Sequence, residues 1–210
     1  NKKIFLSEIG WREFSYHLLY NFPDLKEKNL KDNFDDFPWL ENDTLLKKWK
    51  KGLTGYPIVD AGMRELWETG YMHNRVRMIT SSFLVKNLLQ NWKYGKNWFW
   101  DCLLDADMAS NSASWQWVAG TGTDATPFFR IFNPITQSQK FDENANYIKK
   151  YLPELNKLPN KLIFSPFEHD SSVLKNYGVV LGENYPYPII NYSESRKRAL
   201  STYTNFINKD

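Results

Sequence analysis

A single cysteine, Cys102, excludes an internal disulfide and agrees with a reducing compartment. Three scattered histidines, His17, His73 and His169, are too few beside it to build a structural zinc site. No apolar run approaches the roughly 20 residues that a membrane-spanning helix needs, and no signal peptide opens the chain. Charge of one sign is also scarce. The 27 basic and 24 acidic residues leave a net +3, which excludes a histone-like polycation but not a local basic groove for phosphates. No repeats or low-complexity tracts stand out, and strand-like alternation is scarce.

Aromatic residues are abundant instead. Nine Trp, twelve Tyr and fourteen Phe make 17% of the chain, more than core filling alone requires, and so many indoles raise the odds of stacking surfaces. The 210 residues suit one large domain, or a domain with a trailing segment, and 42% hydrophobic content supports a sizeable core. The chain opens "NKKIFLSEIGWREF", without a Met and already amphipathic, as expected of a fragment of something longer.

Helix signals dominate. "FLSEIGWREFSYHLLY" spaces Phe5, Ile9 and Phe14 helically until Pro23. Residues 21–55 read as loop with a short helix over Thr44 to Lys50. "GYPIVDAGMRELWETG" reads as a complete helix, with Pro57 in its first turn and Gly70 as its stop. "HNRVRMITSSFLVKNLLQNW" predicts a helix buried in its second half. Its amino end, crowded by His73, Asn74, Arg75 and Arg77, suits an anion. Another helix is expected over 141–155, broken at Pro153, then a Pro/Tyr-rich meander from Pro159, then a closing helix near Ser193 to Ile207. The fold class expected is all-α.

Four constellations stand out, each with a plain reading beside a functional one. Asp105 and Asp107 precede a helix, where acids usually cap or face solvent; alternatively they accept hydrogen bonds from a ligand or pair with Arg77. Asn111 and Trp115, four apart, share a helical face. That face is either a satisfied amide beside a core indole or a wall for a heteroaromatic cofactor. "TGTDATPFF" reads as a turn, with Arg130 after it as a candidate phosphate contact. Glu8, Trp11 and Arg12 are either an ordinary amphipathic face with a Glu8–Arg12 pair, or a stacking ring flanked by an acceptor and a cation.

Taken together, "GYPIVDAGMRELWETGYMHNRVRMITSSFLVKNLL" and "WQWVAGTGTDATPFFRIFNPITQSQKFD" resemble the FAD-binding domain of the photolyase/cryptochrome family, most closely class I cyclobutane pyrimidine dimer photolyases of the bacterial type. The resemblance runs over nearly the whole chain. It implies a helical domain in which reduced FAD gives an electron to a flipped-out dimer in DNA, and a cytoplasmic location. Asp105 and Asp107 are then flavin-contacting acids, with Arg77 the partner of Asp105. Asn111 faces the flavin N5, where plant cryptochromes usually have Asp and animal cryptochromes Cys. Trp115, Trp92 and Trp39 correspond to an electron chain from flavin to surface. Glu8, Trp11, Arg12, Asn74, Met78, Trp117 and Gln137 would form the lesion pocket, and Arg75 and Arg130 would lie near phosphates. The lone His73, where (6-4) photolyases and animal cryptochromes carry a pair, favours cyclobutane dimers.

The resemblance also implies an antenna domain upstream, with a chromophore whose identity stays open, and upstream helices whose hydroxyls grip the flavin phosphates. From this follow two expectations for the chain by itself: weak FAD binding, and a homodimer covering bare apolar surface. Two competing readings remain, a cryptochrome-type photosensor and a DNA-binding module without catalysis. Blue-light-dependent loss of dimers separates the second from repair.

Overall fold

The computed structural model describes residues 2–123 and 127–208; the middle of the expected "TGTDATPFF" turn lies outside them. The regular structure of the described residues is helical, and their one β feature is an isolated bridge between Leu181 and Tyr185. Among the described residues, no helix is long and apolar enough to cross a membrane. Eleven α-helices are described: α1 Lys2–Asn21, α2 Asp43–Lys50, α3 Pro57–Thr69, α4 Asn74–Ser82, α5 Trp92–Cys102, α6 Met108–Ala119, α7 Pro134–Phe141, α8 Asn146–Tyr151, α9 Asn160–Ile163, α10 Ser171–Lys175 and α11 Tyr192–Ile207.

Local chemistry explains most boundaries. Asn42, Asn91, Asp107, Asn133 and Asn191 each accept a backbone N–H at the start of a helix, the usual work of an Asx cap. Pro57 begins α3 and Gly70 ends it at φ 68°, a left-handed conformation that a glycine adopts freely. A Cβ at Gly70 would in addition meet Leu104 at 2.6 Å.

The segment 73–92 departs from the single helix expected. After Ser82 the chain widens into a π-helical turn, Phe83–Asn87, in which Leu88 N–H donates to Phe83 C=O. Leu89 then takes φ 54° and its carbonyl accepts from Leu40 N–H at 2.7 Å. The second half is buried as expected, but apolar periodicity alone could not register the break. At its amino end, where an anion was expected, His73 Nδ1 itself accepts the Arg75 N–H, and Arg77 folds back to donate its Nε to Met72 C=O. The helix expected over 141–155 is shorter, because Asp142 takes the N–H groups of Tyr147 and Ile148 and starts α8.

The main core lies between α3, α4, α5 and α6 and includes the buried indoles Trp49, Trp92 and Trp115. A second, aromatic cluster of Phe34, Phe37 and Phe128 receives Tyr203 and Phe206 of α11. Asp60, fully buried in α3, ties two distant loops to the core. Its carboxylate accepts from Thr54 N–H and Oγ1 (both 2.6 Å), Gly55 N–H (2.9 Å) and Tyr185 O–H (2.8 Å).

Candidate flavin and nucleic-acid site

One cavity of about 440 Å³ opens between α1, α4 and α6, within the usual size range of ligand pockets. It collects ten of the residues singled out from sequence. Glu8 and Trp11 come from α1, and Asn74, Arg77 and Met78 from α4. Asp105 and Asp107 come from the turn before α6, and Asn111, Trp115 and Trp117 from α6 itself. The four-residue spacing of Asn111 and Trp115 does put both on one wall.

The two acids divide their work. Arg77 Nη2 donates to both oxygens of Asp105, at 3.0 and 2.9 Å, while its Nε holds Met72 C=O. The expected pair therefore forms, and the guanidinium is fixed at a second point. Asp107 caps α6 by accepting Ser110 N–H at 2.7 Å, so the plain reading of this acid holds. Its other oxygen takes the Tyr16 hydroxyl at 2.6 Å. Partial burial pushes the Asp107 carboxyl up, but these donors outweigh it and hold it below its ordinary range. The Tyr16 phenol is raised in return by its bond to that carboxylate.

Asn111 is half-buried, and its Nδ2 donates to Lys96 C=O at 3.0 Å. The amide's donor is thereby engaged inside the protein, and its Oδ1 remains as an acceptor on the cavity wall. Behind it Trp115 is clamped edge-to-face by Phe99 (5.0 Å) and Trp49 (6.3 Å). Trp92 is buried with its indole N–H on Asn29 Oδ1 at 2.9 Å. Trp39 is half-buried and packs on Phe37 at 4.5 Å, in the aromatic cluster near the surface.

Six candidates lie elsewhere than the cavity wall: Trp39, Trp92, Arg12, Arg75, Arg130 and Gln137. Arg12 is exposed and bonds Glu13 at 2.9 Å, which replaces the expected pair with Glu8. Arg75 stacks on Phe141 at 4.4 Å, Arg130 is exposed beyond the loop, and Gln137 keeps a buried Oε1 without a described partner. Sequence reasoning missed Tyr16, the Lys96 carbonyl and Gln116. Gln116 donates to Leu25 and Lys28 carbonyls and accepts Leu30 N–H, pinning the loop after α1 against α6. These are contacts across up to 91 positions, which no local pattern announces.

An amide acceptor, an Arg–Asp pair and one exposed indole around one cavity fit a heteroaromatic cofactor beside nucleic acid, and comparison decides the family. The model of the FAD binding domain of DNA photolyase matches residues 5–205. The chain belongs to that family. The deoxyribodipyrimidine photo-lyase of Agrobacterium fabrum is 57% identical over 199 residues, covering 95% of this chain and 42% of the relative. Cryptochrome-1 of Arabidopsis thaliana is 45% identical over 195 residues, covering 93% of this chain and 29% of the relative. A crystal structure of a bacterial class III photolyase from Agrobacterium tumefaciens superposes with a TM-score of 0.95 at 56% identity, covering 97% of this chain and 42% of that one. This chain thus spans about two-fifths of the length of the photolyases it matches. The all-α expectation agrees with the fold of the family.

Proposed function

We propose that this chain is the flavin- and lesion-binding part of a light-driven lyase that repairs cyclobutane pyrimidine dimers in DNA. One observation carries the reading: residues suited to a flavin ring and residues suited to an extruded base share one cavity. Asn111, Asp105 and Arg77 line it together with Glu8, Trp11, Met78 and Trp117. Bound reduced FAD would supply the electron; the protein's share is to bring donor and acceptor together and exclude water. Asn111 Oδ1 offers an acceptor to a ring N–H, and Arg77, locked on Asp105 and Met72, offers positive charge near the cofactor. Trp115, Trp92 and Trp39 are proposed as the path by which the flavin is recharged. A separate light-harvesting chromophore belongs to the same proposal for the longer protein.

Trp11 is 54% exposed at the cavity mouth, in edge contact with Phe14 at 5.9 Å. An indole so exposed beside Glu8 is placed for stacking on a flipped base. The structure at 56% identity is that of a bacterial class III photolyase, so a class III relation stands beside the class I one expected from the motifs. The competing reading, a blue-light photosensor, draws on the likeness to cryptochrome-1. Asn111, Trp11, Met78 and the single His73 weigh towards repair. The test is loss of dimers from DNA under blue light by flavin-loaded protein, with Trp11→Ala beside it. The variant is expected to lose about 1–3 kcal/mol of affinity for dimer-containing DNA, one base–aromatic stack, while affinity for undamaged DNA holds. Equal weakening on both DNAs would make Trp11 a structural residue, and repair-free light responses would favour the photosensor.

A further inference from the structure

Lys86 lies wholly buried in the π-helical turn, and its Nζ reaches two backbone carbonyls at 3.3 Å each. One belongs to Ala119, the last residue of α6; the other belongs to Phe128, where the chain returns from the Gly/Thr-rich loop. The same ammonium lies 3.5 Å from the centre of the Phe128 ring. Both ends of one loop are therefore held by a single atom. That loop contributes Gly122 and Thr123 to the cavity wall and leads directly to Arg130. Lys31 adds a second hold at the near end, with Nζ on Gly120 C=O at 3.3 Å and its N–H on Thr121 C=O at 3.0 Å.

We propose that Lys86 is the positioning residue of the α6–α7 loop, stapling its two ends so that its cavity-facing stretch and Arg130 are presented to DNA. The part concerning DNA rests on the function proposed above; the staple itself does not. Burying an ammonium is costly, and burial pushes the Lys86 amine well below its ordinary range. Apolar replacements of buried charges are often neutral or stabilising, so gross stability is a poor reason for a lysine here. Geometry is a better one. A methionine would fill the same channel and reach neither carbonyl, whereas the amine joins the end of α6 to residue 128. The carbonyls at the negative pole of α6 and the face of Phe128 both favour a cation at this point. The π turn, in which one extra residue enters the helix, is of the kind that often re-aims side chains at functional positions.

The experiment compares wild type with Lys86→Met and Phe128→Leu, by site-resolved hydrogen exchange and by binding to duplexes with and without a cyclobutane dimer. Loss of the two hydrogen bonds from the amine should speed exchange of the Thr121, Gly122 and Arg130 amides about tenfold or more in Lys86→Met, with α3 and α8 unchanged. Phe128→Leu, which keeps the carbonyl and removes the ring, should give a smaller effect on the same amides, and keeps the test open if Lys86→Met does not fold. Affinity for dimer-containing DNA should fall about tenfold in Lys86→Met, in step with the exchange. Wild-type exchange rates in both variants would overturn the staple. Faster exchange with unchanged DNA affinity would overturn its role in presenting the loop. If wild type itself ignores dimers, the functional reading falls, and exchange alone decides the staple.

Discussion

Replacing Asp60 by Ala is expected to lower the melting temperature by roughly 8–16 °C, from a loss of about 4 kcal/mol at 2–4 °C per kcal/mol for a chain of this size. The variant leaves Thr54 N–H, Thr54 Oγ1, Gly55 N–H and Tyr185 O–H without their acceptor in a site that water does not reach. Each stranded donor costs about 1–3 kcal/mol, and partial relaxation keeps the sum below full additivity. A shift under about 3 °C would mean that solvent or neighbours replace the carboxylate easily. The pH dependence gives a second check. Burial raises the Asp60 carboxyl from 3.8 to about 6, against the pull of its four donors. The folded state thus holds the proton more tightly than the unfolded one. The linked stability is fully present below about pH 3.8 and is lost as pH rises through about 6. Two pKa units correspond to about 3 kcal/mol. Relative to Asp60→Asn, wild type should therefore lose stability to urea between pH 4 and pH 7. The opposite slope would show that the donors, not burial, dominate.

The same residue illustrates what the sequence made legible. Pro57 and Gly70 marked the ends of α3 correctly, because both act through their own backbone. Nothing in "TGYPIVDAG" announced that Asp60 would meet Tyr185, 125 positions away. The candidate site repeats the pattern. Asn111 and Trp115 were placed together by helical spacing, and a pair with Arg77 was open to either acid until the resemblance singled out Asp105. Asp107 was open between capping and ligand contact, and its capping role became visible once α6 was seen to start at Met108. The break before Trp92 hid for a different reason. Asn91 is a strong cap, yet it stood in an apolar run whose period continues through the π turn. Lys86, which no sequence pattern singled out, lies wholly buried in that turn.

Trp115→Phe is expected to abolish light-driven reduction of oxidised flavin in the flavin-loaded protein, while chemically reduced protein still repairs dimers. The path proposed through Trp115, Trp92 and Trp39 delivers electrons to the flavin, whereas repair withdraws them, so the two activities separate. Phenylalanine keeps most of the ring volume against Phe99 and Trp49 but does not give up an electron as an indole does. Gly95→Ala approaches the same indole from the other side. A Cβ at Gly95 would lie 2.0 Å from Trp115 Cη2 and 2.4 Å from Cζ3, inside any tolerable contact. Phe99 and Trp49 flank Trp115 edge-on, and its remaining room lies towards the cavity, so the strain should cost about 3 kcal/mol, the upper end for overpacking. Transient absorption then distinguishes the two variants. Trp115→Phe should lose the Trp radical signal with little change in melting temperature, and Gly95→Ala should lower the melting temperature and slow the signal together. If Trp115→Phe reduces repair and photoreduction equally, Trp115 serves the cavity's shape rather than electron delivery. If Gly95→Ala leaves both unchanged, the indole yields towards the cavity at no cost.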